Sequence, residues 1–148
     1  MPAGSINFFE EDVKYPLKEK RILKKWLNAV IAAEQYALQE LNFVLCSDEY
    51  LLQMNQQYLD HDTYTDVITF DNSDTEGLIV GDIFISIDRV KENALLVKVD
   101  TSEELQRVMV HGTLHLLGFK DKTKAAKALM TSKEDQYLKV LQDQLSGL

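Results

Sequence analysis

The chain has little of what would mark it as secreted, membrane-spanning or held together by disulfides. Its 148 residues include one cysteine and two prolines, and no apolar run approaches the roughly 20 residues needed to span a bilayer. The N-terminus, MPAGSINFFEED, lacks the basic flank and apolar core of a secretion signal. The single Cys46 cannot form an internal disulfide, which fits a reducing compartment. These absences favour a cytoplasmic protein without a membrane partner, and the length suits one domain, residues 1–148.

Charge is unevenly distributed along this acidic chain, whose formal net charge is -8. Residues 47–88 contain ten acidic side chains and no lysine or arginine, whereas four lysines lie within residues 120–127. A strongly negative balance argues against broad, non-specific binding to nucleic acid, and no DNA partner is expected. The basic run at residues 14–25 is interpreted as a solvated face.

Hydrophobic periodicity predicts a mixture of strands and helices. The predicted strands are SINFFEE, ALQELNFVLCS, TDVITF and LIVGDIFISI, and helical spacing follows Pro16, Asp48, Asp88 and Thr101 and recurs over residues 124–145. Thr101 and Glu104 are expected to form a capping box, and Gly118 is expected to end that helix in a left-handed turn. The pattern predicts one mixed α/β or α+β domain.

The stretch HGTLHLLGFKD, residues 111–121, holds two of the three histidines. His111 and His115 are spaced i and i+4 on a predicted helix, so their side chains lie on one face, about 6 Å apart. Gly118 then turns the chain and Asp121 follows three residues later. Two imidazoles and one carboxylate, with a fourth position open to water, are the ligand set of a catalytic zinc. We interpret the stretch as a site for one ion, either zinc or another divalent metal.

The spacing H-x-x-x-H-x-x-G-x-x-D resembles the metzincin protease pattern, H-E-x-x-H-x-x-G-x-x-H. In those proteases the glutamate after the first histidine is the general base, and Gly112 occupies that position here. A glycine cannot accept a proton. A zinc metallopeptidase or related hydrolase therefore remains an alternative that would need a carboxylate from elsewhere.

Three segments, taken in order, resemble the YbeY family of bacterial rRNA-maturation endoribonucleases. HGTLHLLGFKD resembles the family's H-G-x-L-H-L-x-G-Y-D-H, YTDVITF resembles T-D-V-L-S-F, and VGDIFIS resembles L-G-D-I-x-I-S. The resemblance covers about residues 45–125. It implies an α+β fold with a small mixed sheet of about four strands, helices packed around it and a metzincin-like metal helix. It also implies a cytoplasmic, zinc-dependent endoribonuclease acting on ribosomal RNA, with proteins of the small ribosomal subunit as partners.

Carried over by position, the resemblance makes His111 and His115 zinc ligands and puts Asp121 where the family has a third histidine. The chain departs from the family at Leu59, where an arginine is thought to assist the reaction or grip phosphate. A cation from elsewhere would then be needed. The candidates for binding the phosphates of the substrate are Lys120, Lys122 and Lys124.

The expected reaction is hydrolysis of an RNA phosphodiester by a water molecule that the metal activates. The sequence identifies no general base, although Asp66 and His61 precede the VITF strand and are candidates to approach the site. Leu59 keeps a non-enzymatic alternative open, in which the protein is a ribosome assembly factor that retains the metal for folding.

Overall fold

The computed structural model describes residues 4–59 and 65–147, and four strands and five helices follow one another within these residues. They are β1 (Ser5–Glu10), α1 (Lys20–Ala33), β2 (Ala37–Cys46), α2 (Asp48–Leu59), β3 (Val67–Asp71), β4 (Leu78–Ser86), α3 (Ile87–Val97), α4 (Thr101–Leu116) and α5 (Lys124–Ser146). None of the helices in these two ranges combines the length and apolar character that crossing a bilayer requires.

The strands form one mixed sheet in the order β1-β2-β4-β3. Strands β1, β2 and β4 are parallel, and β3 pairs antiparallel to β4 as an edge strand. The parallel pairs need crossover connections, and α1 supplies the first of them between β1 and β2. The prediction of an α+β fold with a small mixed sheet of about four strands is confirmed.

Side chains alternate between the two faces of this sheet, and each face packs against different helices. The larger core includes Ile6 of β1, Phe43 of β2 and Ile83 of β4, together with buried residues of α1, α4 and α5. Trp26 of α1 is fully buried there, and its indole N–H donates to the carbonyl oxygen of Tyr137 at 2.7 Å. On the opposite face, α2 packs a smaller apolar cluster against the sheet. Helix α4 therefore lies in the main core.

One predicted helix start and one predicted helix cap are wrong. Helix α1 begins at Lys20, because residues 11–18 do not form a helix and Glu19 takes a left-handed conformation with φ 58°. The prediction of a start at Pro16 treated an apolar segment as part of the helix, but the residues of that segment pack on the core outside any helix. The capping box of Thr101 and Glu104 is also absent. Asp100 is the N-cap, and its carbonyl already accepts the amide of Glu104 at 3.1 Å.

A polar contact joins the end of α1 to α5. The carboxylate of Glu34 accepts hydrogen bonds from the ammonium of Lys133, at 3.0 Å, and from the hydroxyl of Tyr137. Burial favours the neutral acid and raises the pKa of Glu34, but the hydrogen bonds to Tyr137 and Lys133 favour the carboxylate more strongly. The pKa of Glu34 consequently lies below its ordinary value of 4.5. A depressed carboxylate pKa means that the contact stabilises the fold above that value and is lost as the pH falls.

We expect Glu34→Gln to lower the free energy of unfolding at neutral pH by about 1–3 kcal/mol, because a charge-assisted pair of hydrogen bonds is weakened. Below the folded-state pKa the wild type carries a neutral acid too, so the difference between the two proteins should shrink. Urea unfolding at neutral and at acidic pH measures this, with Glu76→Gln on the exposed β3–β4 loop as a control. An equal difference at both pH values would contradict the assignment.

Candidate metal centre

Helix α4 presents two histidines along its partly exposed side. Its apolar side is buried in the main core through residues that include Leu105, Val108 and Met109. His111 and His115 are one helical turn apart, half-buried, and their ring centroids are separated by 4.8 Å. The i, i+4 spacing places the two side chains on one face of the helix, as predicted, and both rings face the same region beside the end of α4.

The turn after α4 brings the third residue to this region. Gly118 has φ 97°, a left-handed conformation, and its amide donates to the carbonyl oxygen of His115 at 3.0 Å. The amide of Phe119 donates to the carbonyl oxygen of Leu114 at 3.1 Å, which completes a Schellman turn. The predicted left-handed ending at Gly118 is confirmed. Because the chain reverses here, Asp121 lies against the two histidines.

The three side chains meet at their metal-binding atoms. Oδ2 of Asp121 lies 3.4 Å from Nε2 of His111 and 3.3 Å from Nε2 of His115, and all three candidate ligand atoms lie within 4.8 Å of one another. These separations are longer than good hydrogen bonds. The two separations from Asp121 match the edge of a tetrahedron around a metal with bonds of roughly 2.0–2.1 Å, which is about 3.3–3.4 Å. Two imidazole nitrogens and a carboxylate oxygen therefore fit a zinc-like divalent ion in chemistry and spacing.

A buried glutamate, which the sequence analysis missed, contacts the first histidine. Glu134 of α5 is 6% exposed, and its Oε2 lies 2.6 Å from Nδ1 of His111. A carboxylate accepts the Nδ1 proton and leaves Nε2 free to bind a metal. One feature of the sequence could have identified Glu134: it is an acidic residue among the side chains that α5 buries. The other buried residues of α5 are Met130, Tyr137, Leu138 and Leu141.

A partly exposed arginine extends the polar network from Glu134 to the surface. Nη1 of Arg107 donates to Oε1 of Glu134 at 2.8 Å, and Nη2 donates to Oδ1 of Asp135 at 2.7 Å. Arg107 is one turn before His111 on α4, so it shares the side that faces α5. Because two carboxylates already neutralise this guanidinium, Arg107 serves to hold Glu134 in place.

Carboxylates dominate the electrostatics around His111. Burial disfavours the imidazolium and lowers its pKa, but the hydrogen bond to Glu134 and the negative charges of Glu134, Asp121 and Asp66 outweigh burial, so the pKa of His111 is raised above 6.5. The effect of Asp66 puts this predicted candidate within electrostatic range of the site. The same excess of negative charge favours a bound cation.

The position after His111 faces the sheet. A Cβ atom on Gly112 would lie 3.0 Å from Cγ2 of Ile83 and 3.4 Å from Cγ2 of Thr69, so α4 approaches β3 and β4 as closely as a glycine allows. A longer side chain here would start against Ile83 and Thr69, with little room between helix and sheet. The chain has no carboxylate at the position of the metalloprotease general base, and the tight packing disfavours one there, which weakens the metallopeptidase alternative.

The predicted substrate-binding lysines separate into two groups. Lys120 and Lys122 line an open cavity of about 580 Å³ together with His115 and Asp121. Lys124 begins α5 and lines a neighbouring surface depression. Of the other predicted candidates, His61 lies outside the described residues.

A mixed α+β domain in which one core helix and its terminal turn bring two histidines and an aspartate together has the framework of a metal-dependent hydrolase. Comparison with known proteins gives the particular family. Residues 5–142 match the family model of Endoribonuclease YbeY. The chain belongs to the YbeY endoribonuclease family, and the prediction of a hydrolase, a nuclease, is confirmed.

Curated relatives match almost the whole chain. An Endoribonuclease YbeY of Cytophaga hutchinsonii is 54% identical over 93% of this chain and 96% of its own length. One of Flavobacterium psychrophilum is 49% identical over 89% of this chain and 94% of its own. The solution structure of a Thermotoga maritima protein superposes with a TM-score of 0.65 at 27% identity, covering 97% and 93% of the two chains.

The packing at residue 112 gives a test. We expect Gly112→Glu to lower the free energy of unfolding by more than about 4 kcal/mol, because a carboxylate would be forced against Ile83 and Thr69 in the core. Gly147→Glu is the matched control, since the nearest atom to a Cβ there is 3.6 Å away and the residue is exposed. Thermal and urea unfolding of both variants measure the difference. A Gly112→Glu protein as stable as the wild type would show that this position is open to the metal centre.

Proposed function

We propose that this chain is a metal-dependent endoribonuclease acting in the maturation or quality control of ribosomal RNA, with one zinc ion held by His111, His115 and Asp121. The approach of Asp121 Oδ2 to within 3.3–3.4 Å of Nε2 of both histidines, with all three ligand atoms within 4.8 Å of one another, supports the metal site most directly. Membership of the YbeY endoribonuclease family supports RNA as the substrate. Proteins of the small ribosomal subunit are the partners we propose, and the cytoplasm is the proposed location.

The residues of the site have two roles: some would bind the ion, and Glu134 would orient one of its ligands. When bound, the metal supplies an acidified water molecule for attack on phosphorus and neutralises charge that develops on the phosphate. Glu134 fixes the ring orientation and tautomer of His111 through the 2.6 Å contact at Nδ1. Asp121 contributes an anionic ligand. Asp66, close enough to affect the pKa of His111, is the candidate to accept a proton from the attacking water.

The lysines of the turn after α4 are the cations we propose for the phosphate groups of the substrate. Lys120 and Lys122 flank Asp121 in sequence, are exposed, and share its cavity. Their ammonium groups carry positive charge, which attracts the negative phosphodiester. Arg107 is already held by Glu134 and Asp135 and does not take over the role of the family's arginine. Lys124, on the neighbouring surface, would contact a flanking phosphate.

Cleavage of a small-subunit ribosomal RNA fragment tests the proposal. We expect the zinc-loaded wild type to cut the fragment, and His115→Ala, prepared identically, to lose at least about a hundredfold in rate, because the ion loses a ligand. Gln136→Ala, an exposed α5 residue, is the control and should cut normally. Equal cutting by wild type and His115→Ala would contradict a metal-dependent reaction at this site.

The role of Glu134 is tested by metal affinity. Glu134→Gln keeps the shape of the side chain but removes the charge that accepts the Nδ1 proton of His111, so we expect zinc to bind about 10–100-fold more weakly. Competition with a chromophoric chelator measures the dissociation constant, and circular dichroism checks that the fold persists. An unchanged affinity would show that Glu134 acts only in packing α5 onto α4.

A further inference from the structure

The sheet face opposite the metal helix carries two rows of side chains across all four strands. Strand pairing aligns Asn7, Asn42, Asp82 and Phe70 in one row, and Phe9, Val44, Phe84 and Ile68 in the next. Helix α2 covers the part of this face around Ile68 and Phe84. At the margin of α2 the sheet is left accessible, and polar and aromatic side chains border each other there.

Aromatic rings from α2, β3 and β4 surround a cavity of about 490 Å³ at this margin. Phe84 lies at the centre, with the ring of Tyr50 stacked at 6.4 Å and that of Phe70 edge-on at 5.8 Å. Tyr58 meets Phe70 edge-on at 6.0 Å and is 60% exposed. Four aromatic rings bordering one open cavity provide a surface on which a planar ring can stack.

A carboxylate held by two amides borders the same cavity. Oδ1 of Asp82 accepts from Nδ2 of Asn42 at 3.0 Å, and Oδ2 accepts from Nδ2 of Asn72 at 3.1 Å. These bonds fix the plane of the carboxylate, and each oxygen retains acceptor capacity. Asp82 is thereby preorganised to accept hydrogen bonds from a ligand that carries amino groups.

The charge of the cavity determines which part of a nucleotide it can bind. Within the part of the chain that the structure describes, the residues that line it all fall within residues 50–84, part of the long segment without lysine or arginine. A phosphate would find no counter-charge here and would be repelled by Asp82. A neutral base with an exocyclic amino group can stack on the rings and donate a hydrogen bond to the carboxylate. The chemistry therefore favours the base and leaves the backbone in solvent.

The cavity and the metal centre lie on opposite faces of the same edge strand. Phe70 of β3 lines the cavity, whereas its neighbour Thr69 lies beneath Gly112 of α4, next to His111. Successive side chains of a strand point to opposite faces, and among the described residues no strand pairs with the outer side of β3. An RNA strand that occupied both sites would therefore cross this edge of the sheet.

We propose that this cavity binds an unpaired, amino-bearing nucleobase of the RNA substrate, stacked on Tyr58 and its neighbouring rings and hydrogen-bonded to Asp82. The inference rests on the proposed ribonuclease function, since it assigns a base-recognition site to the same substrate. It predicts a preference for bases with an exocyclic amine, represented in the test by cytosine and adenine, over uracil, which has none.

Fluorescence polarisation with short labelled oligocytidine, oligoadenosine and oligouridine tests this on metal-free wild type, in chelator, where no cutting interferes. We expect oligocytidine and oligoadenosine to bind more tightly than oligouridine. Tyr58→Ala should weaken binding of the preferred oligomers about tenfold, because a stacking surface is lost. Asp82→Asn should reduce the preference over uridine. Phe9→Ala is the matched control, because Phe9 is an exposed aromatic on the same face but at the far edge strand.

Equal binding of all three oligomers, or unchanged binding by Tyr58→Ala, would overturn the proposal. So would a Phe9→Ala effect as large as that of Tyr58→Ala, because it would indicate general stickiness of the sheet face. Gln136→Ala, an exposed α5 residue that does not line the cavity, should bind like the wild type in the same assay. If the oligomers bind in the expected pattern but the zinc-loaded wild type cleaves no RNA, the base site is supported. Only the proposed ribonuclease activity is then contradicted.

Discussion

Helix α4 has to lie close against strands β3 and β4 before its histidines can face the Asp121 turn, and residue 112 permits this because it has no side chain. The space that a Cβ would need at Gly112 is bordered by Ile83 and Thr69. Once the helix is seated, its apolar side is buried, and the i, i+4 spacing leaves His111 and His115 on the side that remains partly exposed. The position of the metal centre thus depends on one close helix–sheet contact.

The second constraint is a chain of charged groups between α4 and α5. A buried carboxylate is costly unless it is paired and hydrogen-bonded, and Glu134 is paired with both Arg107 and His111. The network links the stability of the α4–α5 packing to the orientation of a proposed metal ligand. Asp121 then brings a further negative charge close to both histidines, and the electrostatic imbalance that results is what a bound cation would relieve.

Local patterns in the sequence predicted those features that depend on neighbouring residues. The strands, the helical spacing of His111 and His115 and the left-handed turn at Gly118 follow from periods and turn chemistry within a few residues. The start of α1 was misplaced because an apolar segment can cover a core without being helical. Glu134 was missed because it meets His111 across 23 residues, and only the packing of α5 on α4 creates that contact. The base-binding cavity likewise joins three elements that no local pattern relates.

His111, His115 and Asp121 are the residues proposed to hold one metal ion. Anomalous X-ray diffraction at the zinc absorption edge, from crystals grown with stoichiometric zinc, would test this assignment most directly. A single strong peak is expected within roughly 2.0–2.2 Å of Nε2 of both histidines and of a carboxylate oxygen of Asp121. A fully occupied zinc peak elsewhere, with none between these three side chains, would contradict it.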